Sequence, residues 1–217
     1  MMEFNPVIRG ANRQQNDEEH VNAILDAGFI CHVAITHQGQ SMIIPTAYGR
    51  KGNCLYIHGS SKNFMMQEML NGQTVCVSVT HLDGVVLGKN LFFSSVNYRS
   101  VVLFGKAEQV KSFEEKEEAL SIICNHIVDQ RSNEVPIGSD VQIEKTFVVK
   151  FTIERASAKI RTDGPMNDDD VEGNAWSGHI PLTLVAGNPV LDPKRIDNPE
   201  LTDSVIHFLN IHTAPKH

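Results

Sequence analysis

The sequence lacks the features that mark membrane, secreted and metal-binding proteins. It contains no run of about 18 apolar residues, so no transmembrane helix is predicted. Residues 1–20 are polar and lack the apolar segment of a signal peptide. No Cys-x-x-Cys pair and no His-x-x-x-His spacing occurs, which disfavours a dedicated metal site. We therefore expect a cytoplasmic protein without a structural metal.

Positive charge is also scarce, with 19 Lys and Arg against 26 Asp and Glu and a net charge of −7. Nucleic acids and anionic membranes require a basic face, so neither is expected as a partner. A small anionic ligand remains compatible, because a few cations can be concentrated locally. The four cysteines are interpreted as reduced side chains, most of them in apolar strand-like segments: Cys31, Cys54, Cys76 and Cys124.

Short apolar segments at hairpin spacing predict a mainly β protein. Strands are expected over 29–36, 41–48, 54–58, 74–80, 101–110, 146–153 and 156–162. Helices are expected after residue 17, over 64–70, after residue 112 and over 199–210. Six or seven strands with few helices between them favour one antiparallel barrel with peripheral helices, a single domain over 1–217. Residues 1–16 are predicted as an arm and 163–175 as an acidic loop.

Two strand residues constrain the barrel. Pro45 cannot donate a ladder hydrogen bond, so the strand over 41–48 must lie at a sheet edge or contain a bulge. Gly105 is expected at a bulge in the strand over 101–110. Residues 82–91 are compatible with either strand or loop.

The helix starts have clear capping residues. Asn16 or Asp17 can cap the first helix. Ser112 and Glu115 have the spacing of a capping box. The helix that follows Ser112 carries three apolar residues on one face: Leu120, Ile123 and Ile127. Met65 and Met69, at i,i+4 spacing, are interpreted as core residues.

The segment His58-Gly-Ser-Ser-Lys-Asn63 has the composition of a phosphate-binding loop. The glycine allows close backbone approach, and the serine hydroxyls and Lys62 offer hydrogen bonds and a positive charge. Ser60 or Ser61 can equally cap the following helix, so the segment alone leaves both interpretations open.

The segment Asn97-Tyr-Arg-Ser100 is a second candidate. Arg99 can bind a phosphate through two hydrogen bonds, and Tyr98 can stack or donate a hydrogen bond. The alternative is a surface arginine beside a half-buried tyrosine. Asp168–Asp170 are interpreted as a solvated acidic loop rather than a cation site.

Six segments in order resemble one family: Pro45–Tyr48, Leu55–Ser61, Val77–Thr80, Asn97–Gly105, Ala158–Arg161 and Trp176–Leu182. The chain is similar to the FMN-binding split barrels related to pyridoxamine 5′-phosphate oxidase, and more narrowly to the nitroimidazole-resistance branch. The resemblance implies a homodimer with two FMN molecules at the subunit interface. It also implies that residues 44–48 lie along the flavin ring, that 60–63 bind its phosphate and that Trp176 approaches from the partner chain. The cofactor-binding residues so predicted are Ile44, Pro45, Thr46, Ala47, Tyr48, His58, Ser60, Ser61, Lys62, Asn63, Tyr98, Arg99, Ser100 and Trp176.

The chain departs from the oxidases at two points. Lys62-Asn63 carries one charge where the oxidases carry two, and Arg195-Ile-Asp197 lacks the histidine of their substrate-binding Arg-x-His. We therefore expect an FMN-dependent oxidoreductase acting on a small substrate, for example a nitro-aromatic compound, rather than pyridoxamine phosphate oxidase activity. His58 either transfers a proton near the flavin or hydrogen-bonds the phosphate loop. Two alternatives remain open: a non-catalytic flavin-storage protein, and a haem-binding split barrel with an axial histidine in its cleft.

Overall fold

The computed structural model describes residues 2–4, 13–15, 17–166, 174–197 and 199–213. The strands are β1 (Glu3–Phe4), β2 (Gln14–Gln15), β3 (Ile30–His37), β4 (Gln40–Ala47), β5 (Gly49–Lys51), β6 (Cys54–Gly59), β7 (Val75–Leu87), β8 (Ser95–Val110), β9 (Phe147–Arg161) and β10 (Gly178–Pro181). The helices are α1 (Glu18–Asp26), α2 (Phe64–Met69), α3 (Phe113–Ile127), α4 (Asp140–Lys145) and α5 (Asp203–Ile211). The predicted residues Asn16 and Asp168–Asp170 lie outside the described part of the chain.

The strands form one predominantly antiparallel sheet. Its order is β4-β3-β7-β8-β9-β6-β5, with β1 and β2 added to β9 and β10 added to β7. This confirms the predicted mainly-β split barrel. Pro45 lies on β4, an end strand of this order, as its missing N–H requires.

The barrel is split between β4 and β6. The chain leaves β4 at Ala47, passes through Tyr48 and enters β5, which pairs with β6. Residues 40–51 therefore form one nearly continuous stretch. Its first part, β4, pairs with β3, and its last part, β5, pairs with β6. Among the described strands, β4 pairs only with β3, so an opening is left between β4 and the end of β6.

The core lies inside this curved sheet, closed by α1 and α2. Alternate residues of the central strands are fully buried, including Val33, Val77 and Leu103. The apolar face of α1 covers the core through Val21, Ile24 and Leu25. All three methionines of α2 are buried, which confirms the predicted core role of Met65 and Met69.

Most differences from the predicted elements concern strand length. Strand β7 continues to Leu87, β8 begins at Ser95, and β9 runs without interruption to Arg161. The register of β8 against β9 shifts between Phe104 and Gly105, which confirms the bulge expected there. Strand propensity alone predicted these strands too short. In the fold, pairing with neighbouring strands on both sides holds their polar residues in extended backbone.

The helix ends follow their capping residues. Asp17 accepts a hydrogen bond from the His20 N–H at 2.9 Å, and Ser112 accepts one from the Glu115 N–H at 3.2 Å. The last helix begins at Asp203 after the N-cap Thr202, not at residue 199 as predicted. In the described residues no helix is long and apolar enough to span a membrane.

Candidate functional site

The two borders of the split are the segments 44–47 and 58–63. Strand β5 pairs with β6 through Gly49–Tyr56, Arg50–Leu55 and Lys51–Cys54. If the β5–β6 pairing continued for two more residues beyond Gly49–Tyr56, Ala47 would lie opposite His58. However, no pairing between β4 and β6 exists among the described residues. The backbone N–H and C=O groups along these two edges are therefore available to a ligand in the split. The chain crossing at Tyr48 thus places the end of the first predicted segment beside the start of the second.

The loop 60–63 is an exposed turn beside the split. The Ser60 hydroxyl accepts a hydrogen bond from the Lys62 N–H at 3.2 Å, and Asn63 caps α2 by accepting from the Met66 N–H at 3.4 Å. Since Asn63 is the cap, Ser61 is not needed at the helix start, and its side chain is exposed. In the described part of the chain no carboxylate lies within ion-pair distance of the Lys62 ammonium. These groups fit the phosphate of a flavin nucleotide.

Tyr48 does not line the split with its side chain. The ring is fully buried, and its hydroxyl donates to the Leu25 carbonyl at 2.6 Å. Its backbone N–H donates to the Phe29 carbonyl. Burial also raises the pKa of the Tyr48 phenol above its ordinary value. The side chain and the N–H of Tyr48 therefore anchor the strand crossing in the core, and a contact of its carbonyl with a flavin stays a prediction.

The segment 97–100 lies inside β8 and not before a strand as predicted. Arg99 donates two hydrogen bonds to Asp83, Nε to Oδ2 and Nη2 to Oδ1, both at 2.9 Å. The bond to Asp83 raises the pKa of the guanidinium. One strand, β9, separates β8 from β6, and two strands, β7 and β3, separate it from β4. Within one chain, Tyr98, Arg99 and Ser100 therefore do not meet the loop 60–63.

The last two predicted segments contain Trp176 and Arg161. Trp176 is 62% exposed, and its ring lies against Gly178 at the start of β10. Arg161 is buried and donates from Nη1 to the Asn97 side-chain oxygen at 3.1 Å and to the Val96 carbonyl at 3.0 Å. The Arg161 Nε has no hydrogen-bond partner among the described residues.

A cavity of about 290 Å³ adjoins His58. Helix α3 forms one wall and residues 132–137 another, and the lining is mostly aliphatic: Leu120, Ile123, Ile127, Val135, Pro136 and Ile137, with Ser121, Cys124 and Ser132. His58 is exposed at its surface, yet partial burial lowers the pKa of its imidazole below the ordinary value. No hydrogen bond of the His58 side chain occurs within the described residues.

Sequence reasoning identified only part of this cavity. It placed Leu120, Ile123 and Ile127 on one helix face, and that face is the one that lines the cavity. It did not use the apolar triplet Val135-Pro136-Ile137. Three consecutive apolar residues in an otherwise polar connection between two helices were the available signal.

The comparisons with known proteins agree with this geometry. The family model described as pyridoxamine 5′-phosphate oxidase matches residues 17–160. The chain belongs to this family. It is therefore a member of a flavin-binding group of split barrels, and the resemblance inferred from six short segments is confirmed. A search of the curated proteins finds no match.

Two solved structures resemble nearly the whole chain. The flavocytochrome Anf3 from Azotobacter vinelandii is 30% identical with a TM-score of 0.85, and the match covers 93% of this chain and 94% of that one. An FAD and haem binding protein from Mycobacterium smegmatis is 29% identical with a TM-score of 0.84, covering 90% and 96%. A candidate 5-nitroimidazole antibiotic resistance protein from Bacteroides thetaiotaomicron shares the fold at 23% identity and a TM-score of 0.58, covering 68% and 86%.

Proposed function

We propose that this protein binds a flavin in the split between β4 and β6 and acts as a flavin-dependent redox protein. The observation that carries the proposal is the split itself. Two unpaired strand edges, 44–47 and 57–59, face one opening beside a loop with a cation that no carboxylate neutralises in the described residues. The family membership and the flavin in the descriptions of both full-length relatives support it.

The roles of the residues follow from this arrangement. The backbone of 44–47 would orient the flavin ring through its N–H and C=O groups, while Ser61 and Lys62 would hold the phosphate. His58, across the split from Ala47, is close enough in register to act on the ring or a substrate. When bound, the flavin supplies the electron-transfer chemistry, and the chain supplies position and exclusion of water.

The visible spectrum of the purified protein tests this proposal. We expect flavin absorbance, bleaching by NADH or NADPH, and recovery when an acceptor is added. Identification of the extracted flavin by chromatography tests our finer proposal that it is FMN rather than FAD. A bound flavin that no reductant bleaches would favour the storage alternative. A colourless protein that binds neither FMN nor FAD would contradict the proposal.

Lys62 gives the sharper test of the phosphate site. We expect Lys62→Ala to weaken flavin binding by about 1.5–3 kcal/mol, because a charge-assisted hydrogen bond is lost. Arg99→Ala should have less effect, because Asp83 already satisfies its guanidinium. Lys111→Ala, an exposed lysine outside the loop 60–63, is the matched control. Equal flavin affinity in Lys62→Ala and wild type, measured by fluorescence titration, would place the phosphate elsewhere.

We propose further that the protein is a homodimer and that a small nitro-aromatic compound is a competent acceptor. The resemblance in fold to the nitroimidazole-resistance candidate motivates the choice of acceptor. A nitroimidazole should reoxidise the reduced flavin under anaerobic conditions faster than buffer alone. If the rate does not exceed that of buffer, nitro-aromatic reduction is not the activity.

A second candidate function is that of a flavocytochrome, with haem bound alongside the flavin. This function is favoured by the two solved structures that match 90% or more of this chain. One is described as a flavocytochrome and the other as an FAD and haem binding protein. The family model ends at residue 160, so the relation to these two proteins includes parts of the chain beyond the family core. A Soret band beside the flavin absorbance would support this function.

A further inference from the structure

We propose that His58 is an axial ligand of a haem that occupies the cavity between α3 and residues 132–137. The inference rests on the second candidate function above and assigns it a place and a ligand. This role of His58 replaces the one at the flavin ring considered above, because the imidazole lines this cavity.

The imidazole of His58 faces the cavity and not the core. Leu55 and Ile57 of β6 point into the core, so the alternation of the strand turns Tyr56 and His58 outward. There the imidazole lines the cavity. Within the described residues it has no hydrogen-bond partner, whereas His81 and His126 are each bonded to a backbone carbonyl at 2.8 and 2.9 Å. A ring nitrogen left available beside a cavity is the donor that haem iron requires.

The lining of the cavity is mostly apolar. Six of the lining residues are aliphatic, and no charged side chain is among them. A porphyrin ring has two apolar faces and is stabilised by burial against such walls. A phosphate or a sugar would instead need donors that this cavity does not offer. The chemistry therefore fits a flat apolar ligand with a metal centre better than a nucleotide.

The cavity of about 290 Å³ is at the lower end of small-molecule sites, so it would enclose part of a haem and leave the propionate edge in solvent. One wall is fixed, because the backbone of α3 at Ile123 packs directly on β5: a Cβ at Gly49 would lie 2.5 Å from the Ile123 Cα. The opposite wall includes residues 136–139, which form neither helix nor strand and are exposed.

Cys124 is the competing ligand, since it lines the same cavity. A thiol must lose its proton before it can bind iron, whereas a neutral imidazole binds without deprotonation. The structure therefore favours His58, and the thiolate becomes an outcome of the test.

The experiment is titration of the full-length protein with haemin, followed by Soret absorbance and electron paramagnetic resonance. We expect wild type to give the spectrum of a histidine-ligated haem, and His58→Ala to raise the Kd for haemin at least about tenfold. Added imidazole should restore the wild-type spectrum in His58→Ala, because it can enter the vacated position. Leu120→Trp, which fills the cavity, should lose haemin and keep the flavin.

Two variants serve as controls. His207→Ala removes an exposed histidine on α5, and Cys124→Ser removes the competing ligand; both should bind haemin like wild type. An unchanged spectrum in His58→Ala, or a thiolate-type spectrum lost in Cys124→Ser, would overturn the assignment. Wild type that holds flavin but no haemin would refute this inference alone, whereas wild type that holds neither would refute the proposed function as well.

Discussion

At the scale of single residues, Gly105 is the position where the sheet tolerates no side chain. A Cβ there would lie 1.9 Å from the Thr152 carbonyl oxygen, far inside any van der Waals contact. The register of β8 and β9 shifts at this point, with Phe104 facing Arg155 and Gly105 facing Ile153. The missing side chain lets the two longest strands bend around the core.

We expect Gly105→Ala to lower the free energy of unfolding by at least about 3 kcal/mol, because the obstructing atom is backbone and cannot move aside. Gly164→Ala is the control: nothing lies within 4 Å of its added Cβ. That variant should change stability by no more than about 1 kcal/mol. Denaturant unfolding of the two variants and wild type measures the difference, and equal midpoints would contradict the role given to Gly105.

Lys62 and Arg99 show what sequence reasoning can establish about one side chain. Both were predicted as phosphate ligands because of their residue type and their place near strand ends. The structure separates them: Lys62 is exposed on a turn, while Arg99 is held by Asp83 on the neighbouring strand. Residue type was predictable, but the partner was not, because a cross-strand contact depends on register.

At the scale of elements, one carboxylate anchors the N-terminal end of helix α5. Glu134 accepts hydrogen bonds from the Ser204 N–H at 2.7 Å and from the Ser204 hydroxyl. Arg131 bridges Glu134 and Thr202, the N-cap residue. The Ser204 hydroxyl is the main cause that lowers the pKa of Glu134 from 4.5 to about 2.

This carboxylate makes the docking of α5 pH-dependent. A lowered pKa means that the stabilisation is present above pH 4.5 and is lost as the pH falls towards about 2. We expect the amides of α5 to exchange hydrogen faster across that interval while the barrel strands stay protected. Glu134→Gln should raise α5 exchange already at neutral pH and reduce its acid dependence. Glu144→Gln, an exposed acid on α4, should behave as wild type; equal exchange in both variants would contradict the docking role.

Local signals predicted the elements well where one residue determines the conformation. Pro45 indicated the edge strand, and Asp17 and Ser112 indicated helix starts. The start of β8 was missed because polar residues such as Asn97 and Arg99 lower strand propensity. Tertiary pairing to β7 and β9 overrides that preference. The cavity wall over 132–137 was missed for a related reason, since nothing in a short apolar segment tells which helix it will face.

At the scale of the whole molecule, residues 182–197 form an arm without helix or strand that buries few of its side chains. Leu184 is 75% exposed, Val190 93% and Ile196 105%. Several apolar side chains that stay this exposed along one segment are typical of a surface that another chain covers. This supports the proposed homodimer.

We expect the protein to sediment as a dimer. Leu184→Ser combined with Val190→Ser should shift it towards monomer without changing its circular dichroism, because neither side chain packs in its own core. Asn188→Ser, an exposed polar change in the same arm, should leave the mass unchanged. Sedimentation equilibrium decides between the two outcomes. A wild-type monomer, or a double variant with the wild-type mass, would contradict the assignment of this arm.

The split also has a consequence for solubility. Among the described strands, β4 and the last residues of β6 present edges that no neighbour covers. Uncovered edges are templates on which strands of other molecules can add, and Pro45 protects only part of one of them. A cofactor seated between these edges shields both, so the loaded protein should resist aggregation in conditions where the empty protein precipitates. Cofactor supply during synthesis would then determine the yield of soluble protein as well as its colour.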